Sequence, residues 1–193
     1  MRLFVAVTVP GKITGELEAA VAPLRSSWPS LRWTGRDAWH LTLAFLGEVN
    51  EVAAARLGRR MELAASHHSY LALSLAGSGA FPEADRARVL WTGVQGQRQE
   101  LRKLADSVAA GARRAGAPPA EEGRRFQPHL TLARSRAPVD VRTLVAELSD
   151  YAGDPWTAEE IYLIRSRPQS RPRYETLGTW PLRNGRDGGE FST

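Results

Sequence analysis

The sequence predicts an α+β protein. Segments whose apolar residues recur with the 3.6-residue period of helices alternate with short segments rich in β-branched and aromatic residues. Several of these strand-like segments follow one another with only a turn between them, which favours hairpins and largely antiparallel sheets over a doubly wound parallel sheet. The chain of 193 residues, 42% of them apolar and 24% charged, is long enough to bury one sizeable core.

In the first half of the chain, five regions have recognisable periodicity. Residues 2–9 (RLFVAVTV) form a strand, because β-branched and aromatic residues fill this segment and a proline ends it. Residues 12–25 form a helix, because apolar side chains recur there every three or four positions. Residues 31–46 contain two extended segments, LRWT and WHLTLAFL, separated by a polar turn. A second helix is expected over 51–65 and a strand over 70–75.

In the second half, strands and helices continue to alternate. Residues 87–94 (ARVLWTGV) form a strand, and residues 100–115 form a helix that ends in a cluster of glycine and prolines. The segment HLTLAR at 129–134 is a strand, and a short helix follows over 141–148. The last two expected strands cover 157–165 and 173–182.

The composition narrows the possible chemistry. The chain has no cysteine and four histidines, which excludes disulfides, a thiolate nucleophile and a zinc–thiolate site. No segment approaches the roughly 18 apolar residues of a membrane helix, and the first apolar run is too short for a signal peptide. We therefore expect a cytoplasmic protein without a membrane anchor. Residues 1–183 are expected to form a single domain, and the polar, glycine-rich tail at 184–193 is expected to be disordered.

The charge of the chain points towards anionic partners. The formal net charge is +5, and Lys12 and Lys103 are the only lysines. The preference for arginine over lysine is typical of a GC-rich genome and carries no functional meaning by itself. The excess of positive charge favours a polyanionic partner or a phosphate-bearing substrate. The arginine-rich segment 165–173 (RSRPQSRPR) is either a solvated basic loop or a contact for an RNA backbone.

One four-residue motif, HLTL, occurs twice, at residues 40–43 and again at 129–132. Side chains alternate between the two faces of a strand, so that His40 and Thr42 project from one face and both leucines from the other. In a helix, residues two positions apart would be about 200° apart around the axis, so the histidine and threonine of one motif would point in different directions and could not form one site. The leucines are therefore expected in the core, and the histidine–threonine pairs are expected to face a cleft.

Two such pairs, brought together by a pseudo-twofold arrangement, suit a reaction at phosphorus. Imidazoles titrate near neutral pH, so that one accepts a proton while the other donates one, with a bell-shaped pH profile around neutrality. A threonine hydroxyl two residues along can hold a phosphoryl oxygen. Threonine is a poor metal ligand and no carboxylate accompanies either motif closely, so the scheme requires no metal and no cofactor. These residues predict an in-line displacement at phosphorus.

Both motifs and their surroundings resemble the two-histidine (2H) phosphoesterase superfamily, and within it the bacterial and archaeal RNA 2′,3′-cyclic phosphodiesterases, also called 2′-5′ RNA ligases. The similar segments are RLFVAV, HLTLAFLGEV, RVLWTGV, FQPHLTLAR and RYETLGTW, which together span residues 2 to about 182. The resemblance implies a bilobal, LigT-like α+β fold, in which two pseudo-symmetric lobes with antiparallel-rich sheets surround a central cleft and the helices lie outside. It also implies opening of a terminal 2′,3′-cyclic phosphate on RNA to a 2′-phosphomonoester, with weak ATP-independent joining of RNA ends through a 2′-5′ bond.

The resemblance implies roles for individual residues. His40 and His129 are the acid–base pair, with His129 activating water and His40 protonating the leaving O3′, an assignment that the pseudo-symmetry could exchange. Thr42 and Thr131 bind the phosphate. Arg134 matches an arginine that the family uses at the phosphate. Simple alternation places Arg134 on the face opposite His129, so it must lie at the strand end or past a bend.

Aromatic residues also have predicted positions relative to the motifs. Tyr174 resembles a family position near the ligand and could stack a base. Phe45, which occupies the position after His40 that Arg134 occupies after His129, is expected in the core, and Trp39 is expected there too. Phe4 could approach the cleft from the first strand. The adjacent His67 and His68 are expected to have no functional role.

The implied partners are RNA ends or nucleotides that bear a 2′,3′-cyclic phosphate, and we expect a monomer without an obligate protein partner. Two alternatives remain open. A small nucleoside or ADP-ribose cyclic phosphate suits the same site, and its binding would depend less on salt than that of RNA. A non-catalytic module that binds RNA ends would use the histidine–threonine pairs only to grip phosphate, and turnover on any cyclic phosphate would exclude it.

Overall fold

The computed structural model describes residues 1–121, 123 and 125–185, so most of the expected disordered tail lies outside the described residues. Within this part of the chain, strands and helices alternate as the sequence predicts. The strands are β1 (Arg2–Thr8), β2 (Arg32–Trp33), β3 (His40–Glu48), β4 (Leu71–Phe81), β5 (Ala87–Gly96), β6 (His129–Val139), β7 (Trp156–Ala158), β8 (Glu160–Ser166) and β9 (Tyr174–Pro181). The helices are α1 (Gly11–Ser27), α2 (Glu51–Ser66), α3 (Arg98–Ala115) and α4 (Arg142–Leu148).

The strands form two sheets, and each sheet contains one copy of the HLTL motif. The first sheet has the order β3-β1-β8-β9, and the second has the order β2-β6-β5-β4-β7. Every pair of neighbouring strands in both sheets is antiparallel. The architecture therefore confirms the predicted α+β class with two antiparallel lobes. β3 of the first sheet and β6 of the second lie against each other, which brings the two motifs together.

The unbroken apolar run in β1 follows from its position inside the first sheet. β1 lies between β3 and β8, and its residues from Leu3 to Val7 are all buried. Leu3, Val5 and Val7 belong to the main core, whereas Phe4 and Ala6 belong to a second apolar cluster on the opposite face. A strand that is covered on both faces needs apolar residues at every position rather than at every second one.

Helices α2 and α3 pack against each other and contribute buried side chains to the main core. α2 begins after Asn50, whose side chain accepts a hydrogen bond of 2.8 Å from the Ala53 N–H, and so satisfies one of the free amides of the first turn. α3 is followed by Gly116, which caps its C-terminus and whose φ of +85° is the left-handed conformation that glycine adopts without strain. Among the described helices, none combines the length and apolar character needed to cross a membrane.

Two strands differ from their predicted extent. β4 continues six residues beyond the predicted end at residue 75, because pairing with β5 maintains it through the glycine-rich segment that follows. The single strand predicted over 157–165 is two strands, β7 and β8, which belong to different sheets. Periodicity within a segment cannot reveal this break, because the break depends on which neighbouring strand each half of the segment pairs with.

Candidate active site

The two HLTL motifs adopt the same arrangement in their respective strands. Leu41 and Leu130 are buried, whereas the histidine and threonine of each motif are half-buried on the opposite face. The predicted orientation is therefore confirmed in both copies. Because β3 and β6 lie against each other, the strands that carry the two histidine–threonine pairs are neighbours, and the charge of His129 acts on His40. We refer to the space that these two pairs face as the cleft.

A β-bulge occurs at the same position of both motifs. In the pairing of β3 with β1, Thr42 is opposite Ala6 and Ala44 is opposite Val5, so that Leu43 is the extra residue. In the pairing of β6 with β5, Thr131 is opposite Trp91 and Ala133 is opposite Leu90, so that Leu132 is the extra residue. Each bulge leaves two consecutive buried residues and reverses the alternation that follows.

The bulges bring the fifth residue after each histidine onto the cleft face. In β6 this residue is Arg134, and the bend required for it to face the same way as His129 is confirmed. In β3 it is Phe45, which the sequence predicts to lie in the core. Phe45 is half-buried in the second apolar cluster with Phe4, and the guanidinium of Arg2 lies 5.0 Å from the centroid of its ring.

His40 is held between aromatic side chains of the first sheet. Its ring stacks on that of Phe4 with 4.6 Å between centroids and an interplanar angle of 27°. The Tyr174 ring contacts both of these rings edge-on. Its centroid lies 5.5 Å from that of His40 and 5.7 Å from that of Phe4. Tyr174 thus lies beside the first catalytic candidate, as the sequence suggests, and Phe4 contacts His40 directly. The guanidinium of Arg173 lies 5.5 Å from the centroid of the Tyr174 ring.

His129 is oriented by a backbone hydrogen bond and by aromatic side chains of the second sheet. Its Nδ1 lies 2.7 Å from the carbonyl oxygen of Gln127. Because a carbonyl only accepts, Nδ1 carries the hydrogen, and Nε2 of the neutral ring is left as the acceptor. Phe81 contacts His129 edge-on with 4.9 Å between centroids, and Trp91 lies 6.3 Å away.

Several arginines converge on the cleft. Arg134 is exposed on β6, and Arg32 of β2 is its cross-strand neighbour. Burial of part of the guanidinium lowers the pKa of Arg134, and the nearby positive charges of Arg173, Arg32 and Arg2 lower it further. The cleft therefore concentrates positive charge that is suited to a phosphate group.

Both histidines favour the neutral form in the free protein. Burial, together with the positive charges of Arg134 and His129, lowers the pKa of His40 to about 4. Burial also lowers the pKa of His129, with Arg134 acting in the same direction and the hydrogen bond to Gln127 acting against it. The charge of Arg134 thus acts on both imidazoles, and an anion bound beside it would reduce the penalty for protonating either one.

A hydrogen-bonded link joins the segment before the first motif to the bulge of the second. The indole Nε1 of Trp39, the residue before His40, donates to the hydroxyl of Thr34 over 2.9 Å. That hydroxyl lies 2.8 Å from the carbonyl oxygen of Thr131 and 2.9 Å from that of Leu132. The Thr34 N–H also donates to the Leu132 carbonyl over 2.9 Å. Trp39 is buried as predicted, and its indole also connects the two lobes.

Replacing Thr34 with valine tests this link. The substitution keeps the side-chain volume but leaves the buried Trp39 Nε1 without its acceptor, so we expect the free energy of unfolding to fall by about 1–3 kcal/mol. Urea denaturation of Thr34→Val and Thr34→Ser measures the effect, because serine retains the hydroxyl. Equal stability of the valine variant and the wild type would show that the hydroxyl contributes nothing to holding the lobes.

The remaining histidines lie elsewhere. His67 Nδ1 is 2.7 Å from the Leu63 carbonyl at the end of α2, and His68 Nε2 is 2.8 Å from the Ser107 hydroxyl. Sequence reasoning did not identify Phe81 and Trp91 as neighbours of His129. The register of β4 against β5 and of β5 against β6 places them there, and the only local signal is a tryptophan in a strand-like segment.

Comparison with known proteins agrees with this geometry. Residues 14–169 match the 2′-5′ RNA ligase superfamily. The RNA 2′,3′-cyclic phosphodiesterase of Aeropyrum pernix is 37% identical over 145 residues, which cover 73% of this chain and 80% of the relative. A crystal structure from Thermus thermophilus superposes with a TM-score of 0.74 at 27% identity, covering 96% of this chain and all of that one. Escherichia coli LigT in complex with 3′-AMP superposes with a TM-score of 0.67 at 27% identity, covering 94% and 97% of the two chains.

Proposed function

This chain belongs to the 2′-5′ RNA ligase superfamily, and on that basis we propose that it is an RNA 2′,3′-cyclic phosphodiesterase. The reaction opens a terminal 2′,3′-cyclic phosphate to a 2′-phosphomonoester by metal-independent acid–base catalysis. The observation that supports it most strongly is the pair of equivalent motif strands, which present two histidines and two threonines to one cleft beside Arg134.

The proposed step transfers one proton at each side of phosphorus. His129 takes a proton from water through its free Nε2 as the water oxygen attacks phosphorus. The bond between phosphorus and O3′ breaks, and His40 gives its proton to O3′, so that the product carries a 3′-hydroxyl and a 2′-phosphate. The hydrogen bond from His129 Nδ1 to the Gln127 carbonyl is compatible with this assignment, because it leaves Nε2 of the neutral ring able to accept a proton.

The other side chains of the cleft bind and neutralise the phosphate. Thr42 and Thr131 are placed two residues from each histidine on the same face, where their hydroxyls donate to phosphoryl oxygens. Arg134 stabilises the negative charge that develops on those oxygens. Tyr174, beside His40, stacks on the base of the nucleoside that bears the cyclic phosphate.

An RNA end fits the charge distribution better than an isolated nucleotide does. Arg171 and Arg173 are exposed in the loop that leads into β9, next to Tyr174. Glu175 partly neutralises two further arginines of this region. Its Oε2 lies 2.6 Å from a guanidinium nitrogen of Arg167 and 4.0 Å from one of Arg165. Binding of an oligonucleotide should therefore weaken steeply with added salt, whereas binding of a cyclic mononucleotide should weaken little. We also propose that the protein is a cytoplasmic monomer whose two lobes act as one unit.

Product analysis tests the proposal. An RNA oligomer that ends in a 2′,3′-cyclic phosphate is incubated with the protein, and the product is compared with authentic 2′- and 3′-phosphorylated oligomers by chromatography. We expect the 2′-phosphate alone. A 3′-phosphate product would mean that O2′ is the leaving group, and no turnover on oligomers or cyclic mononucleotides would favour a protein that only binds RNA ends.

The pKa shifts predict how the rate depends on pH. Catalysis requires one proton shared by the two histidines, and kcat/KM reports the free enzyme. Because the pKa of His40 is about 4 and that of His129 lies below its ordinary value of 6.5, kcat/KM should peak on the acid side of neutrality. This moves the profile expected from the sequence towards lower pH. A bound phosphate anion favours the protonated imidazoles, so kcat should peak at a higher pH than kcat/KM.

Rates on adenosine 2′,3′-cyclic phosphate between about pH 4 and pH 9, a range that brackets the ordinary imidazole pKa, measure both profiles. Coincident profiles centred on neutrality would mean that burial and Arg134 do not hold both imidazoles neutral in the free protein.

A further inference from the structure

Each catalytic histidine has its own pair of aromatic neighbours, and the two pairs come from different sheets. Phe4 and Tyr174 flank His40 in the first sheet. Phe81 and Trp91 flank His129 in the second sheet, with 5.4 Å between their own centroids. The hydrolysis of a cyclic phosphate explains only the first pair, because the attacking water needs no aromatic surface.

The Trp91 indole lies flat on the second sheet. Gly79 of β4 is the cross-strand neighbour of Trp91. A Cβ atom at Gly79 would lie 2.2–2.8 Å from three atoms of the indole, so that only glycine leaves room for the ring there. One face of the indole therefore covers the backbone of β4. Trp91 is half-buried, and it is the cross-strand neighbour of Thr131, on the same side of the sheet as His129.

The positions of His40 and His129 on opposite sides of phosphorus indicate which part of a ligand would reach the Trp91 ring. An in-line displacement places the entering and leaving oxygens on opposite sides of phosphorus. In the proposed reaction His40 serves O3′ of the nucleoside that stacks on Tyr174, and His129 serves the entering oxygen. A ligand that stacks on Trp91 would therefore be attached to the entering oxygen.

Building on the proposed function, we propose that Trp91 and Phe81 form a second nucleobase subsite, which binds the nucleoside whose 5′-hydroxyl takes the place of water. The cleft then accepts a nucleoside on each side of phosphorus. In the joining direction, O5′ forms a bond to phosphorus and its proton goes to His129, while the bond to O3′ breaks and O3′ receives the proton of His40. The product is a 2′-5′ diester, and no other reactant is needed.

The reverse reaction provides the test. In a 2′-5′-linked diadenosine monophosphate, the neighbouring 3′-hydroxyl attacks phosphorus and the 5′-hydroxyl nucleoside leaves. We compare kcat/KM for cleavage of this dinucleotide with kcat/KM for hydrolysis of adenosine 2′,3′-cyclic phosphate, in the wild type, Trp91→Leu and Tyr174→Leu. If a substitution at Trp91 disturbed the neighbouring His129, the rates of both reactions would fall, and this effect would cancel in the ratio of the two kcat/KM values. Loss of a stacking surface is worth about 5- to 150-fold.

We expect Trp91→Leu to lower the ratio of dinucleotide cleavage to cyclic phosphate hydrolysis at least about 5-fold, and Tyr174→Leu to lower both rates with little change in the ratio. An unchanged ratio in Trp91→Leu would overturn the second subsite, as would a wild type that hydrolyses the cyclic phosphate but does not cleave the dinucleotide. A wild type that acts on neither ligand would instead contradict the proposed function.

A measurement on the unmodified protein covers the case in which Trp91→Leu does not fold. The same 2′-5′ dinucleotide is made with 5-bromouridine as the nucleoside attached through O5′, irradiated with the wild type, and the adduct is located by peptide mass spectrometry. An adduct on Trp91 or Phe81 supports the subsite. An adduct on Tyr174 or Phe4, or none on aromatic residues of the second sheet, would overturn it.

Discussion

Replacing either His40 or His129 with alanine is expected to lower kcat/KM for cyclic phosphate opening by about 10²–10⁴-fold, the usual contribution of one general acid or base. Each substitution removes one of two proton carriers that serve opposite sides of phosphorus. Because both side chains face the cleft and are half-buried, neither variant should unfold. The measurement is initial rate on an RNA oligomer with a 2′,3′-cyclic end, together with circular dichroism of each variant.

His67→Ala is the matched control for these two variants. It removes an imidazole that lies at the end of α2 and contacts the Leu63 carbonyl, so its rate should equal that of the wild type. A folded His40→Ala or His129→Ala variant that keeps wild-type activity would remove that histidine from the mechanism.

The second large effect is expected at Arg134. Replacing it with glutamine should lower kcat/KM by about 10²–10³-fold, the cost of losing one preorganised group that stabilises transition-state charge. Arg134→Lys should recover part of the rate, because it restores the charge but not the planar pair of donors. The substitution by glutamine also removes one of the charges that lower the pKa of His40, so the acid limb of kcat/KM should move to higher pH in Arg134→Gln.

Arg56→Gln controls for the loss of a positive charge. Arg56 is exposed on α2, so this variant lowers the net charge equally without touching the cleft. If Arg56→Gln and Arg134→Gln lost the same fraction of activity, Arg134 would act only through long-range attraction of the substrate and not at the phosphate.

Much of the fold follows from local sequence, since the helices and most strands lie where periodicity predicts them. The orientation of His40 and Thr42 was also predictable, because it depends only on the alternation of side chains within one strand. Phe45 packs against the second apolar cluster and not in the main core, because a bulge at Leu43 reverses that alternation. The bulge itself is visible only in the pairing of β3 with β1. The corresponding bulge at Leu132 could be inferred from the sequence only indirectly. Arg134 was expected on the same side as His129, and simple alternation does not place it there.

The aromatic surroundings of the histidines were harder to predict. Trp91 and Phe81 reach His129 through the register of β4, β5 and β6, which join segments far apart in the chain. The same applies to the link from Trp39 through Thr34 to the second motif. Such contacts depend on which strands become neighbours, whereas local propensity determines only that strands form.

In the proposed mechanism, two imidazoles open the cyclic phosphate without a metal ion. The decisive measurement is the rate at which an RNA 2′,3′-cyclic end is opened before and after prolonged incubation of the protein with excess EDTA, with and without added divalent cations. We expect the same rate in every condition, because the proton transfers and the charge stabilisation are assigned to His40, His129 and Arg134. Activity that disappears with EDTA and returns with a divalent cation would contradict the paired-histidine mechanism.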